Sequence, residues 1–125
     1  MSDEPTVFGF LQLCADRRFH RPTMTKFEEE TGLEPGDYWI EAQAGGAPSW
    51  DRPTKTAEYA YEHGLKAMGW AAHGDGCGGF PGVPDDVLRE MLVTTARARK
   101  ADFPRAGLHY MLFGRKGGEI EVVKL

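Results

Sequence analysis

The chain has 125 residues, of which 41% are hydrophobic, and a formal net charge of −4. This length suits a single domain over 1–125 with one buried core. The acidic balance provides no basic surface for nucleic acid, and no apolar run reaches the roughly 18 to 20 residues that span a bilayer. We therefore expect neither nucleic acid nor membrane as a partner, and the acidic first five residues, which lack a hydrophobic leader, favour the cytoplasm.

Strand-like apolar runs alternate with helical patterns along the chain. The predicted elements in chain order are a strand at 6–13, a helix at 22–31, a strand at 37–43, a helix within 49–64, a strand at 65–73, a helix from 85 or 86 to about 100, and strands at 108–113 and 119–123. Pro22 is expected in the first turn of its helix, and Asp85 or Asp86 is expected to cap the third helix.

The order βαβαβαββ predicts an α/β fold. Alternating strands and helices favour a mainly parallel sheet with helices on both faces, because parallel neighbours need crossover connections. The glycines between the last two strands predict a hairpin, so the C-terminal strand should run antiparallel. In such sheets, ligands gather just beyond the carboxyl ends of the strands. This rule selects the segments 14–18 and 73–77, which follow the first and third strands.

These two segments contain both cysteines of the chain and a histidine, namely Cys14, His73 and Cys77. Two thiolates and an imidazole suit tetrahedral zinc, and three protein ligands leave a fourth position open. An open position indicates catalysis, because bound zinc lowers the pKa of its water from about 15.7 to about 7. We therefore predict a zinc centre held by these three side chains.

Asp16 and Arg18 stand two positions apart beside Cys14. If the turn stays extended, their side chains leave the backbone on one side and can pair bidentately. Asp16 would then either orient zinc-bound water or occupy the fourth zinc position and close the site. Four glycines at 74–79 allow the second segment to bend back, and their N–H groups could form a cradle for a small anion such as bicarbonate.

The pattern Cys-x-Asp-x-Arg after the first strand, with His and Cys before Gly-Gly after the third, resembles the β-class carbonic anhydrases. The stretch FEEETGLEPGDYWIEAQAGGAP resembles that family's helix, turn, second strand and Ala-Gly loop, and the resemblance covers about 7–79. It implies the family's fold, zinc, reversible hydration of carbon dioxide to bicarbonate by zinc-bound hydroxide, and a homodimer or larger homo-oligomer. The implied site residues are Asp16 and Arg18 for catalysis, and Gly45 and Gly78 for substrate binding.

The sequence also departs from the family pattern. His73 and Cys77 enclose three residues where the family has two, and Gln43 stands where the family usually has Asn. Carbonyl sulfide or carbon disulfide hydrolysis on the same scaffold is an alternative that the sequence does not separate from carbon dioxide hydration. A non-catalytic zinc-binding domain is another alternative, motivated by the extra residue. A metal-free thiol role has less support, because neither cysteine lies in a Cys-x-x-Cys arrangement.

Overall fold

A computed structural model of the chain describes residues 8–125, and within this range it contains five strands and three α-helices. The elements are β1 Gly9–Cys14, α1 Arg17–Thr31, β2 Tyr38–Gln43, α2 Lys55–Glu62, β3 Ala67–His73, α3 Asp85–Asp102, β4 Leu108–Arg115 and β5 Glu119–Lys124. A short 3-10 turn, Ala47–Ser49, follows β2. The predicted start of the first strand, at positions 6 and 7, lies outside the described residues.

The strands form one sheet in the order β2-β1-β3-β4-β5. Strand β1 pairs in parallel with β2 and β3, β3 pairs in parallel with β4, and β4 pairs antiparallel with β5. The predicted α/β fold is therefore confirmed, including its antiparallel C-terminal strand. Because β1 and β3 are parallel neighbours, their last residues, Cys14 and His73, lie at the same edge of the sheet.

Both faces of the sheet are covered by helices. Phe27 of α1 packs with Leu11 on one face, and Leu92 of α3 packs with Phe10 and Trp70 on the other. All residues of β1 and β3 are buried, which fits the near-continuous apolar runs expected of central parallel strands. Burial of each large side chain stabilises the fold by about 1.5 to 3 kcal/mol, so the edge that carries Cys14 and His73 rests on a tightly packed base.

Helix α1 begins earlier than the sequence predicts. It starts at Arg17 rather than Pro22, and Pro22 lies inside it. Asp16 is the N-cap, and its side chain accepts a hydrogen bond from the backbone N–H of Arg18. This cap starts the helix directly after β1, and the helix tolerates the interior proline although it removes one backbone hydrogen bond.

Helix α3 also has a different cap from the predicted one. Pro84 occupies the N-cap position without a side-chain hydrogen bond, and Asp85 and Asp86 are the first two helical residues. Both carboxylates suit the positive end of the helix dipole. Asp85 makes its hydrogen bond to another segment of the chain, as described below. Among the helices of residues 8–125, none is long and apolar enough to cross a membrane.

Candidate metal centre

Cys14, His73 and Cys77 come together at the carboxyl edge of the sheet. Their ligand atoms all lie within 4.8 Å of one another, and Nε2 of His73 is 3.2 Å from Sγ of Cys14. The three residues are buried, with exposed fractions of 5%, 1% and 4%. The structure thus brings together the three residues that the sequence predicts as metal ligands, although they belong to two segments far apart in the chain.

The imidazole of His73 is held in a defined orientation. Its Nδ1 lies 2.7 Å from the carbonyl oxygen of Gly74. A carbonyl can only accept, so Nδ1 carries a proton, and Nε2 is the nitrogen that faces the two thiols. The ring of Phe19, in the first turns of α1, stacks on the imidazole at a centroid distance of 4.3 Å. The hydrogen bond and the stacking contact together fix the orientation of the ring, as a metal ligand requires.

The two thiols have different environments. Burial raises the pKa of Cys14, but hydrogen bonds from His73 and from the backbone N–H groups of Asp16 and Gly45 outweigh this effect and bring the pKa to about 7. Burial raises the pKa of Cys77, and the N–H groups of the two residues at 79–80 offset only part of this increase. Cys14 is therefore the more readily ionised thiol, and the thiolate is the form that binds a metal.

The protonation of His73 follows from the same contacts. Burial lowers the pKa of the imidazole, but its hydrogen bond with Cys14 outweighs burial, so the net shift is upward. The pair thus favours an imidazolium beside a thiolate. A cation entering between them would replace the shared proton, because metal ligands must be deprotonated.

Asp16 and Arg18 form a bidentate ion pair beside the three ligands. Nη2 of Arg18 is 2.9 Å from Oδ2 of Asp16, and Nε is 3.1 Å from Oδ1. The hydrogen bond from Arg18 lowers the pKa of Asp16 to about 2, so the carboxylate is charged at neutral pH. Oδ2 of Asp16 also lies 3.6 Å from Nε2 of His73. The predicted pair is present, but it forms at a helix N-terminus rather than in an extended turn.

Arg18 also contacts the segment 73–77, and the sequence did not predict this contact. Its Nη1 donates to the carbonyl oxygen of Asp75 at 3.1 Å, and its Nη2 donates to that of Gly76 at 2.9 Å. Nη1 also lies 3.4 Å from the Asp75 carboxylate. One guanidinium therefore connects Asp16, beside Cys14, to the loop between His73 and Cys77. A basic residue so close to Cys14 was visible in the sequence, but its second contact depends on the strand order.

The loop after β3 accommodates the extra residue. Asp75 has a φ of +54° and is the only non-glycine residue in 8–125 with a positive φ, and Gly76 follows with a φ of +80°. Two consecutive left-handed residues turn the chain sharply, so that Cys77 points back toward Cys14. The three-residue spacing is therefore compatible with convergence of the ligands.

The two glycines predicted to bind substrate have different surroundings. The backbone N–H of Gly45 forms a hydrogen bond with the thiol of Cys14. A Cβ added at Gly45 would lie 2.8 Å from the ring of Phe80. Gly45 therefore helps to position the thiol of Cys14, a candidate ligand. Gly78 is exposed, and a Cβ added there would meet no atom within 4 Å. The N–H of Gly79 faces Cys77 rather than an open cradle. Substrate binding by Gly45 and Gly78 stays a prediction.

Fold and ligand group together define an α/β protein with a candidate metal centre at the carboxyl edge of its sheet. No protein-family model and no curated protein matches the sequence. Solved structures do match, among them the carbonic anhydrase of Streptococcus mutans, with 17% identity, 98% of this chain and 87% of that chain covered, and a TM-score of 0.60.

Two further matches are β-carbonic anhydrases. Isoform I from Trichomonas vaginalis has 12% identity and a TM-score of 0.58, with 99% of this chain and 86% of that chain covered. A tetrameric enzyme from the ascomycete Sordaria macrospora has 18% identity and a TM-score of 0.54, with 96% and 82% covered. At these identities the likeness shows the fold. The β-carbonic anhydrase fold implied by the sequence resemblance is therefore confirmed.

Proposed function

We propose that this chain is a zinc-dependent, carbonic anhydrase-like lyase that reversibly hydrates carbon dioxide to bicarbonate. The observation that carries the proposal is the group of three buried donors within 4.8 Å, beside a charged Asp16 whose Oδ2 is 3.6 Å from His73. Two sulfurs and one imidazole nitrogen fit zinc, and three protein ligands leave the fourth tetrahedral position open.

In this proposal Cys14, His73 and Cys77 hold the zinc. Bound zinc supplies a nucleophile near neutral pH, because it lowers the pKa of water to about 7. Asp16 accepts a hydrogen bond from the attacking water at Oδ2 and so directs the water's lone pair toward carbon dioxide. Arg18 keeps Asp16 charged and prevents its carboxylate from turning, since two guanidinium nitrogens contact it.

Other parts of the proposal rest on the resemblance. Gly45 and Gly78 are proposed to contact the substrate. A homodimer or larger homo-oligomer is proposed, and it is supported by the tetrameric assembly of the Sordaria macrospora enzymes. The mass of the purified protein from light scattering tests the assembly, and a monomer at all concentrations would contradict it. The cytoplasmic location stays a prediction.

Stopped-flow hydration of carbon dioxide tests the proposed reaction. The informative variant is Asp16→Asn, because Asn is also a good N-cap and should leave α1 intact while removing the charge. We expect zinc to be retained and hydration to fall by about 100-fold or more, the range for loss of a positioned acid–base group. Asp86→Asn is the matched control, because the Asp86 carboxylate accepts its hydrogen bond from the backbone N–H of Val87 within α3, and this variant should retain full activity.

The outcomes separate the candidate functions. Stoichiometric zinc without hydration at alkaline pH would overturn the carbon dioxide hydration proposal. Under that result, hydrolysis of carbonyl sulfide or carbon disulfide would identify the protein as a hydrolase of that sulfur compound. Inactivity on all three substrates would indicate a non-catalytic zinc-binding domain. A protein purified without chelators that contains no zinc, and takes up none, would contradict all three.

A further inference from the structure

The loop between the second and third ligands is held by a residue outside it. The backbone N–H of Asp75 donates to Oδ1 of Asp85 at 2.9 Å. Asp75 has the left-handed φ of +54°. This conformation costs free energy for a non-glycine residue, so contacts with the surrounding structure have to offset the cost. Asp85 supplies such a contact at the residue where the chain turns.

The Asp85 carboxylate also packs directly on the loop backbone. A Cβ added at Gly74 would lie 2.5 to 2.7 Å from the three carboxyl atoms of Asp85, closer than real Cβ contacts. Only glycine therefore allows the carboxylate to approach the residue after His73 this closely. The Asp85 carboxylate packs on Gly74 and accepts the hydrogen bond from the N–H of Asp75. It therefore contacts two of the three residues between His73 and Cys77.

Asp85 is anchored to a rigid element. It is the first residue of α3, and Leu88 and Leu92 of that helix are buried in the core with exposed fractions of 3% and 0%. Its neighbour Asp86 has the same charge and a similar exposed position, but it accepts a hydrogen bond from the N–H of Val87 within α3. The two carboxylates therefore differ in whether they contact the metal loop.

We propose that Asp85 is a positioning residue of the metal centre, which holds the three-residue segment between His73 and Cys77 in the conformation that lets both side chains meet Cys14. The inference rests on the proposed zinc site and goes beyond it, because it assigns a role to a residue that is neither a ligand nor in contact with one. In this view, Asp85 acts together with Arg18 to make the longer His-x-x-x-Cys spacing usable.

Metal affinity and the cobalt spectrum test this role without relying on activity. Zinc affinity is measured by competition with a chromogenic chelator, and the d–d bands of the cobalt-loaded protein report ligand geometry. We expect Asp85→Ala to weaken zinc binding by about 10-fold, the low end of the range for residues that hydrogen-bond a ligand directly, because Asp85 acts through the loop backbone, and to shift the cobalt bands. Asp85→Asn keeps an acceptor oxygen and should restore most of the affinity, and Asp86→Ala should match the wild type.

A second variant reaches the same contact from the other side. Gly74→Ala places a methyl group where the Asp85 carboxylate lies, so we expect it to weaken zinc binding as Asp85→Ala does. Removing the carboxylate makes room for that methyl group. The double variant should therefore bind zinc no more than about threefold more weakly than Asp85→Ala, because the two changes disrupt one contact.

The result that overturns the inference is wild-type zinc affinity and an unchanged cobalt spectrum in Asp85→Ala, or fully additive losses in the double variant. Failure of the proposed reaction is distinguishable from this failure. A zinc-loaded wild type that does not hydrate carbon dioxide, together with weakened binding in Asp85→Ala, supports the positioning role and overturns only the activity. A wild type that binds no zinc overturns both.

Discussion

The two segments that supply the candidate ligands are built differently. The segment 14–18 passes directly from β1 into α1, and Asp16 caps that helix. The segment 73–77 is a loop with two left-handed residues, and side chains from elsewhere, Arg18 and Asp85, bind its backbone. Regular secondary structure thus holds the first segment, whereas polar contacts hold the second. Changes to those contacts should affect the second segment more than the first.

The largest expected effect comes from removing a ligand from the second segment. His73→Ala eliminates the only nitrogen donor of the group, and we expect zinc affinity to fall by more than about 100-fold, beyond the range for loss of an outer contact. Zinc content after dialysis, measured by mass spectrometry, checks this. His20→Ala is the control, since His20 lies in α1 and is not one of the three grouped side chains, and it should retain zinc. Equal zinc content in both variants would contradict the site.

A smaller effect is expected from Arg18→Lys, which tests the connection between the segments. The single nitrogen of an ammonium cannot span the positions of the three guanidinium nitrogens that contact the Asp16 carboxylate and the two loop carbonyls. We expect a loss of about 10-fold in both zinc affinity and hydration rate, because the second segment loses one of its two outside contacts. Arg17→Lys, one residue earlier in α1, should change neither. If Arg18→Lys lost activity but kept wild-type zinc affinity, Arg18 would act on Asp16 alone and would not hold the segment 73–77.

The smallest effect concerns a region away from both segments. Glu121 of β5 pairs with Arg89 of α3 at 2.7 Å, and this hydrogen bond, with that from Arg115, lowers the pKa of the carboxylate to about 2. The pair therefore stabilises the fold above the ordinary Glu pKa, and the stabilisation is lost as pH falls toward 2. We expect Glu121→Gln to lower the free energy of unfolding by about 1 kcal/mol at pH 7, an amount typical of a partly exposed pair.

The difference between wild type and Glu121→Gln should shrink when urea unfolding is repeated at lower pH, from about 4.5 downward. Glu119→Gln, on the same strand, serves as the control for loss of a surface charge. Zinc affinity should be unchanged in both variants, since both residues lie on β5, which pairs with neither β1 nor β3. A Glu121→Gln effect that is independent of pH would assign the loss to packing rather than to the ion pair.

The sequence predicts the fold and the meeting of the ligands because both depend on local patterns. Alternating apolar runs and helical periodicity define the βαβαβαββ order, and Cys14 and His73 directly end two of the buried strands. Parallel pairing then brings them to one edge. The Asp16–Arg18 pair could also be predicted, since the two residues are neighbours in the chain.

Other features of the site depend on contacts between distant segments, which spacing does not reveal. Proline at 22 predicted a later helix start, but α1 is capped by the carboxylate of Asp16 and begins five residues earlier, at Arg17. Substrate binding by Gly45 stays a prediction, and the contact of its N–H with the Cys14 thiol could not be predicted from the sequence. The contacts of Arg18 and Asp85 with the loop at 74–76 require the relative placement of β3, α1 and α3. Only the folded chain shows how the longer spacing is accommodated.

The central claim is that two sulfurs and one nitrogen of this chain bind zinc, and X-ray absorption at the zinc edge tests it most directly. The account predicts one zinc per chain with two sulfur neighbours at about 2.3 Å and nitrogen or oxygen neighbours at about 2.0 to 2.1 Å. Loss of one sulfur neighbour in Cys77→Ser would identify that ligand. Protein that takes up no zinc, or zinc surrounded only by nitrogen and oxygen, would contradict the claim.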